Sequence, residues 1–200
     1  LGYAMDTARE RLGGRAAEVY VNAAMRLGTT EETAARVAYE TLTGNMVEEV
    51  GFAYTEDGKF GCSVDGLILR PVPAIRPRVW ECKTMVSSDT LFTAVVEGDI
   101  SSYRGQCIFN MWLLGAEATE LYLHVWDIPE LSRLIVIERD ESEIQQLEDD
   151  MVEFDRLVSG YEAKLLKAMG RAPAPTVPPW AEAPAPAATT KAAEVAMPDF

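Results

Sequence analysis

The sequence predicts an α/β domain, in which helices flank a mixed central β-sheet. Stretches with helical patterning and glycine end signals lie at both ends of the globular part of the chain. Between them lie runs rich in β-branched and aromatic residues, separated by turn-forming residues, as expected of strands. Further helical stretches interrupt these runs, and this alternation is typical of folds with helices packed on a sheet.

The N-terminal part of the chain is predicted to be helical, with glycines marking the helix ends. Gly13 and Gly14 follow the first helical stretch, Gly28 follows the second and Gly44 follows the third. Acidic residues occupy the first turn of the third stretch, where the helix dipole favours them. The predicted helices are Tyr3–Leu12, Ala16–Leu27 and a third from Thr29 or Thr30 to about Leu42.

Three strands are predicted next, and a hairpin joins the first two. The run Glu56-Asp57-Gly58-Lys59 is typical of a tight turn between antiparallel strands. Pro71, Pro73 and Pro77 indicate a loop, because proline cannot donate a ladder hydrogen bond inside a central strand. The predicted strands are Met46–Tyr54, Phe60–Leu69 with Asp65 on it, and Arg78–Met85.

Helix and strand alternate in the remainder of the domain. Gly115 marks the end of one helix, and Pro129 lies between the last two strands. The final helix is long and acidic, has Gly160 as a candidate break, and its acids are interpreted as a solvated face. The predicted helices are Asp89–Glu97, Ile100–Leu114 and Glu141–Met169, and the predicted strands are Leu121–Trp126 and Arg133–Glu138.

One domain is predicted over residues 1–170, followed by a disordered tail over residues 171–200. The tail is rich in Ala and Pro and contains seven of the eleven prolines. Such a composition lacks the apolar residues needed to form a core. The chain begins with Leu1 and not with Met, as a fragment would, and its first residues carry too many charges for a signal peptide.

Composition argues against several classes of function. No apolar run reaches the roughly 20 residues that span a bilayer, so no membrane partner is expected. The three cysteines show no Cys-x-x-Cys spacing, which argues against a zinc site or disulfides and for a reducing cytoplasm. His124 is the only histidine, and a lone histidine on a strand is more often structural than a ligand.

The net charge of −14 argues against a generic nucleic-acid binder, although the charge is unevenly distributed. Residues 138–156 contain nine acidic and two basic side chains, so this segment alone contributes −7. Basic residues lie in the sequence around the candidate site described next: Arg70, Arg76, Arg78, Lys83 and Arg104.

Two strand segments contain the residues with metal-binding chemistry. Glu81 and Lys83 project from the same face of a strand, because they are two residues apart, and Cys82 projects from the other. Asp65, at the end of the neighbouring strand, would converge with them. Carboxylates suit Mg²⁺ or Mn²⁺. A lysine beside such a metal can orient a water or neutralise charge on a phosphate. The alternative is an exposed face of paired charges, which the apolar flanks of both strands argue against.

A polar stripe on the following helix provides a second indication. Tyr103, Gln106 and Asn110 are spaced by three and four residues, so they share one side of the helix. This side could face a phosphate near the Glu-x-Lys strand, and the alternative is an ordinary solvent-exposed face.

The order of these motifs resembles the phage lambda-type exonuclease family, the YqaJ-like viral recombinases of the PD-(D/E)xK nuclease superfamily. The resemblance runs from about Ala23 to Leu165. It is carried by Gly61-Cys-Ser-Val-Asp-Gly66, Glu81-Cys-Lys83, and Tyr103-Arg-Gly-Gln106 with Phe109-Asn-Met-Trp112. It implies a restriction-endonuclease-like core.

The resemblance also implies roles for individual residues. Asp65, Glu81 and the backbone carbonyl of Cys82 would bind the metal, and Lys83 would be the catalytic lysine. Gln106 would assist at the scissile phosphate. The implied DNA contacts are Tyr103, Arg104 and Gln106.

Family members carry one more glutamate, on a helix before the first strand and a few residues after a glycine. Glu32, which follows Gly28, fits this position as a further metal ligand. Helical periodicity does not distinguish Glu32 from Glu31, and Glu40 is a third candidate.

The implied function is a Mg²⁺-dependent deoxyribonuclease, with Mn²⁺ as an alternative metal, that acts as a 5′–3′ exonuclease on double-stranded DNA ends in phage-type recombination. The family implies a homotrimer, a single-strand annealing protein as partner, and a phage or prophage protein in the cytoplasm of a bacterial host. Two alternatives remain open: a non-catalytic DNA-binding or scaffold protein with the same fold, and an unrelated α/β interaction domain.

Two features depart from the family pattern. Val64 stands where a proline usually precedes the motif aspartate, which changes the backbone constraint and not a ligand. Members also carry an N-terminal segment with Arg and Ser/Thr residues that engages DNA and the 5′-phosphate, and none precedes Leu1 in this sequence. A truncation there would leave the hydrolytic residues intact and affect end recognition.

Overall fold

The structure is a computed structural model that describes residues 2–16, 22–69 and 76–172. The predicted proline loop lies largely outside the described residues, and so does nearly all of the predicted tail; both stay predictions. The chain divides into two compact units. Leu1–Gly14 and Val158–Phe200 form one unit, and Arg15–Leu157 form the other, which contains all the strands found among the described residues.

The larger unit is built on a mixed five-stranded sheet, as predicted. Its strands are β1 (Met46–Glu48), β4 (Gly66–Leu69), β5 (Arg78–Thr84), β6 (Ala118–His124) and β7 (Arg133–Glu138), in the spatial order β1-β4-β5-β6-β7. Only β5 and β6 are parallel, and the other neighbours are antiparallel. A separate two-stranded sheet pairs β2 (Phe52–Tyr54) with β3 (Gly61–Ser63).

Five α-helices are described, namely α1 (Gly2–Arg11), α2 (Ala23–Thr43), α3 (Ser88–Leu91), α4 (Ser101–Leu114) and α5 (Glu141–Ala168). A π-helical turn, Phe92–Val96, continues α3, and a short 3₁₀ turn, Pro129–Leu131, precedes β7. No helix in the described part of the chain is both long enough and apolar enough to cross a membrane.

Helices cover both faces of the sheet, which confirms the predicted fold class. On one face, Tyr39 of α2 packs with its ring centroid 5.9 Å from that of Trp80 and 6.0 Å from that of Tyr122. On the other face, Met111 of α4 packs in a cluster that includes Leu121. Alternate side chains of β5 point to opposite faces of the sheet. Trp80 and Cys82 therefore face α2, whereas Val79 and Glu81 face α4.

One predicted helix boundary is wrong, because Gly28 does not end a helix. A single helix, α2, runs from Ala23 to Thr43. The side chain of Asn22 caps its start by accepting a hydrogen bond of 2.8 Å from the backbone N–H of Met25. The hydroxyls of Thr29 and Thr30 donate hydrogen bonds to the backbone carbonyls of Met25 and Arg26, one turn earlier, so neither threonine caps a helix. An isolated glycine inside a helix costs only about 1 kcal/mol relative to alanine, which packing of the helix on the sheet can offset.

The two strands predicted as a hairpin are each interrupted in the middle. Glu48 pairs with Leu67 and Phe52 pairs with Ser63, so one register continues through both pairs of short strands. Between them the ladder opens, and Asp65 lies in the opening, immediately before β4. The hairpin turn is present, with Gly58 at φ 68°. The interruption frees the backbone of Asp65 from strand pairing, so its side chain can be directed at β5.

The later elements agree with the prediction to within a few residues. The helix from Ser101 to Leu114 ends at Gly115 in the left-handed conformation, and β7 has the predicted bounds. The strand predicted over Leu121–Trp126 is found over Ala118–His124, so it starts three residues earlier and ends two residues earlier than predicted. Gly160 does not break α5, which is one continuous helix from Glu141 to Ala168.

Candidate active site

Glu81 and Lys83 form a buried ion pair on the α4 face of β5. The side chain of Glu81 is fully buried, and Nζ of Lys83 lies 2.5 Å from its Oε1. Asn110 of α4 donates a hydrogen bond of 2.9 Å from Nδ2 to the other oxygen, Oε2. Both oxygens of this carboxylate therefore have a donor, which is the arrangement that a buried charge requires.

Asp65 lies on the side of β5 that pairs with β4. Its Oδ2 accepts a hydrogen bond of 2.9 Å from the backbone N–H of Cys82. In a strand, the N–H and C=O of one residue point to the same edge, so the carbonyl of Cys82 lies on the side of Asp65. The next residue, Gly66, has no room for a side chain, because a Cβ there would lie 2.3 Å from Cγ1 of Val47.

Burial and neighbouring charges shift the pKa values of Glu81 and Lys83. Burial raises the pKa of Glu81, and the nearby charge of Asp65 raises it further, although Lys83 and Asn110 oppose the shift. Burial alone would lower the pKa of Lys83, but the charge and hydrogen bond of Glu81, with the charge of Asp65, outweigh burial and raise it. The ammonium of Lys83 therefore contacts Glu81 and also lies within electrostatic range of Asp65, and the two carboxylates repel each other.

The three candidates for the further glutamate lie in different surroundings. Burial raises the pKa of Glu32, as do the charges of Asp65 and Glu49, while Arg36 and Lys83 lower it, so Glu32 lies within electrostatic range of the site. Glu31 instead acts on His124, whose pKa it raises against the lowering effect of burial. Glu40 accepts a hydrogen bond of 2.8 Å from the backbone N–H of Val47 at the start of the sheet.

The predicted DNA contacts on α4 lie in different environments. Gln106 is exposed, one turn before Asn110 on the same side of the helix. Tyr103 is half-buried and packs against the core under this face. The guanidinium of Arg104 forms two hydrogen bonds, of 2.8 and 2.7 Å, to the carboxylate of Glu143 on α5. Arg104 is therefore held in an ion pair within the chain.

Asn110 is the residue at this site whose role the sequence did not predict. It is fully buried, and its Oδ1 accepts a hydrogen bond of 3.2 Å from Sγ of Cys62 on β3. A polar residue on the stripe with Tyr103 and Gln106 was visible in the sequence. The pattern could not show that this turn of α4 packs against the sheet, so that Asn110 meets Glu81 and not solvent.

The three thiols are free and poorly suited to nucleophilic chemistry. Burial raises the pKa of Cys62 and of Cys82, and it raises the pKa of Cys107 to about 12. Each thiol therefore stays protonated at neutral pH, which disfavours both thiolate attack and zinc binding. His124 is buried and lies stacked against Tyr122, with ring centroids 6.0 Å apart.

The oxygen atoms of Asp65, Glu81 and the Cys82 carbonyl are the kind of ligand that a hard divalent cation prefers. Among residues 2–16, 22–69 and 76–172, no three or more His, Cys, Asp or Glu side chains lie close enough together to form a metal cluster. Asp65 and Glu81 nevertheless provide two carboxylates beside a backbone carbonyl. Mg²⁺ commonly uses one or two carboxylates and completes its shell with water and substrate phosphate.

The fold is shared with solved structures of α/β exonucleases. An alkaline exonuclease from Laribacter hongkongensis, LHK-Exo, is 26% identical, with a TM-score of 0.71 and 84% of each chain covered. Its complex with dAMP matches with the same identity and coverage and a TM-score of 0.73. A phage-related exonuclease from Haemophilus somnus 129PT shares the fold, with 17% identity, a TM-score of 0.61, and 84% of this chain and 82% of that chain covered.

The chain belongs to the YqaJ-like viral recombinase family. The family model, described as the YqaJ-like viral recombinase domain, matches residues 2–117, which include Glu32, Asp65, Glu81, Lys83 and Asn110. Among curated proteins, none is similar enough to count as a match. The family resemblance inferred from the motifs is thereby confirmed.

Proposed function

We propose that this protein is a metal-dependent deoxyribonuclease that degrades double-stranded DNA from its ends in the 5′ to 3′ direction. The observation that supports this most directly is the convergence of Asp65, Glu81 and Lys83 at one end of β4 and β5. Lys83 lies 2.5 Å from Glu81, and Asp65 is fixed to the backbone of the residue between them. Membership of the family and similarity to alkaline exonucleases support the same proposal.

In this proposal, Asp65, Glu81, the carbonyl of Cys82 and Glu32 hold Mg²⁺, with Mn²⁺ as a substitute. When bound, such an ion supplies charge stabilisation for the phosphate and lowers the pKa of a water. Lys83 orients that water by donating a hydrogen bond from its ammonium, which is already held beside the carboxylates. Asn110 keeps Glu81 in place while Lys83 moves from the carboxylate to the water.

The exposed side of α4 is proposed to contact the substrate. Gln106 lies one turn from Asn110, so its amide can reach a phosphate that is bound near Glu81. Tyr103 lies a further turn away and would contact the DNA strand beyond it. Arg104 contributes to DNA binding in this proposal only if its ion pair with Glu143 opens.

The proposed assembly and biological setting follow from the family. A homotrimer would enclose the DNA, and a single-strand annealing protein would receive the strand left by digestion. The viral recombinase family to which the chain belongs supports a phage or prophage protein that acts in a bacterial cytoplasm.

Digestion of linear duplex DNA tests the proposal. The wild-type protein should release nucleotides from linear DNA in Mg²⁺, but not in EDTA and not from closed circular DNA. A label at the 5′ end should be released before a label at the 3′ end of the same strand. Glu81→Gln, which is nearly isosteric, should fold normally and abolish release.

A second candidate is a non-catalytic DNA-binding protein with the same fold, and the convergence of Asp65, Glu81 and Lys83 argues against it. Under this alternative, wild-type protein would bind DNA in a gel-shift assay and would release no nucleotide in Mg²⁺ or Mn²⁺. That result would overturn the nuclease proposal, whereas release from the 3′ end would overturn only the polarity.

A further inference from the structure

A groove with a volume of about 540 Å³ lies on the larger unit, and the candidate active site does not use it. It runs between the β2–β3 hairpin turn, the C-terminal part of α4 and the first half of α5. Its apolar lining is Phe60, Trp112, Met151 and Val152, and we call it the hairpin groove. It includes part of the acidic segment at residues 138–156, to which the proposed nuclease function assigns no role.

The apolar floor of the hairpin groove is preformed. The rings of Phe60 and Trp112 lie edge to face, with centroids 6.2 Å apart. Nε1 of Trp112 donates a hydrogen bond of 2.9 Å to Glu148, which fixes the orientation of the indole. The side chain of Val152 is 71% exposed, although it is apolar and borders the groove. A rigid aromatic wall beside an exposed aliphatic side chain is suited to receive an apolar side chain of a partner.

The rim of the hairpin groove is acidic. The carboxylates that line it are Glu56, Asp57, Glu148 and Asp155, against a single basic residue, Lys59. Nζ of Lys59 lies 2.8 Å from Asp155 and 3.8 Å from Asp57, so this cation is already compensated inside the groove. The groove as a whole is therefore negative, and a cationic ligand would complement it.

Charge also excludes other occupants. DNA would be repelled by the carboxylates of the rim. A second copy of the chain, with a net charge of −14, has no excess of positive charge to complement the rim. The Ala/Pro-rich end of the chain, residues 173–200, has one lysine against three acidic residues, so it does not supply the missing positive charge.

We propose that the hairpin groove binds a segment of another protein in which an apolar side chain is flanked by lysines or arginines. The apolar side chain packs between Trp112 and Val152, and the flanking cations meet Glu56 and the other rim carboxylates. This proposal does not depend on nuclease activity, because no residue of the groove belongs to the candidate active site.

Binding of short synthetic peptides tests the proposal. The probe is a fluorescein-labelled peptide of alternating Leu and Lys, and its binding to the full chain is followed by fluorescence anisotropy. One comparison peptide has Glu in place of Lys, and the other has Ser in place of Leu. The probe should bind saturably, and both comparison peptides should bind at least about tenfold more weakly.

Two variants of the groove and two matched controls locate the binding site. Val152→Ser, which removes the apolar contact without a change of charge, and Glu56→Lys should each weaken probe binding by at least about tenfold. Val37→Ser changes an exposed valine on α2 in the same way, and Glu130→Lys changes an exposed acid before β7. Both controls should bind the probe within about twofold of wild type. A thermal melt of each variant establishes that it is folded.

Three results would overturn the proposal. The first is no saturable binding of the probe. The second is equal binding of the Ser-containing cationic peptide, which would show attraction by net charge alone. The third is equal loss of binding in groove variants and controls. Sedimentation of wild type and Val152→Ser provides a further check, since a change in oligomeric state would show that another copy of the chain covers the groove.

Discussion

Nδ2 of Asn110 donates a hydrogen bond of 2.9 Å to Oε2 of Glu81, and this bond connects α4 to β5 at the candidate active site. Lys83 occupies the other oxygen of the same carboxylate, and Cys62 holds the carbonyl end of the Asn110 amide. The amide is thereby oriented with its donor toward Glu81. If Lys83 leaves the carboxylate when metal and substrate bind, Asn110 is the group that keeps Glu81 in position.

Asn110→Ala should weaken metal binding while the protein remains folded. Loss of one outer hydrogen bond to a metal ligand typically costs about 10–100-fold in affinity or activity. We therefore expect a loss of about tenfold or more in Mn²⁺ affinity, measured by isothermal titration calorimetry without DNA. Gln146→Ala, on the exposed side of α5, is the matched control and should leave Mn²⁺ affinity unchanged. Unchanged affinity in a folded Asn110→Ala protein would contradict the positioning role.

Lys83→Arg should lose cleavage activity while DNA binding is largely retained. Both side chains are cationic, but the guanidinium of arginine is broad and planar, so it cannot orient a water as the compact ammonium of Lys83 does beside Glu81. General acid–base catalysis typically contributes about 10²–10⁴-fold, and we expect a loss of at least about 10²-fold in the single-turnover rate in Mg²⁺. DNA affinity measured in Ca²⁺ should change little.

The outcome of this experiment separates two roles for Lys83. Near-wild-type cleavage by Lys83→Arg would reduce the lysine to a generic phosphate contact. A parallel loss of DNA affinity and rate would place it in substrate capture.

Stability should depend on pH through His124. Burial lowers the pKa of His124 below its ordinary value of 6.5, despite the opposing charge of Glu31. The unfolded chain therefore binds more protons than the folded one just below pH 6.5, and stability falls as pH decreases through that range. In urea unfolding at pH 7.5 and 5.5, His124→Gln should lose less stability on acidification than wild type does. An identical pH dependence in both proteins would show that His124 does not contribute.

The extent to which sequence predicted this molecule differs between local and long-range features. The hairpin and β5 were predictable, because turn residues and strand alternation are local properties. The continuation of α2 through Gly28 was not, since packing on the sheet overrides a weak local propensity. The interruption of the hairpin at Asp65 was also not predictable. It depends on the bond from Asp65 to the backbone of Cys82 and on the close approach of Val47 to Gly66, which join distant parts of the chain.

In the candidate site, too, local features were predictable from the sequence and long-range contacts were not. The motif residues Asp65, Glu81 and Lys83 were predicted to lie together, and the structure brings them together. The burial of Asn110 against Glu81 and the commitment of Arg104 to Glu143 depend on how α4 packs between the sheet and α5. Periodicity along a single helix contains no information about either contact.

Gly66→Ala should destabilise the protein and disturb the site, whereas Gly160→Ala should not. A Cβ at position 66 would lie 2.3 Å from Cγ1 of Val47 and 3.1 Å from the carbonyl oxygen of Glu48. The backbone oxygen cannot move without disturbing the pairing of β1 with β4, so overpacking should cost about 1–3 kcal/mol in the free energy of unfolding. At Gly160, in α5, no atom lies within 4 Å of the added Cβ. There, Ala should stabilise the protein by about 0.5–1 kcal/mol, because it favours the helix over glycine.

Urea unfolding of both variants measures these opposite changes, and a metal titration adds a second readout for Gly66→Ala. Since Gly66 follows Asp65 directly, displacement of β4 should also move the carboxylate away from the N–H of Cys82, so Mn²⁺ affinity should fall together with stability. Gly160→Ala should leave Mn²⁺ affinity unchanged. If Gly66→Ala were as stable as wild type, the close approach of β1 and β4 would be wrong. If it lost stability but retained full Mn²⁺ affinity, the position of Asp65 would not depend on this packing.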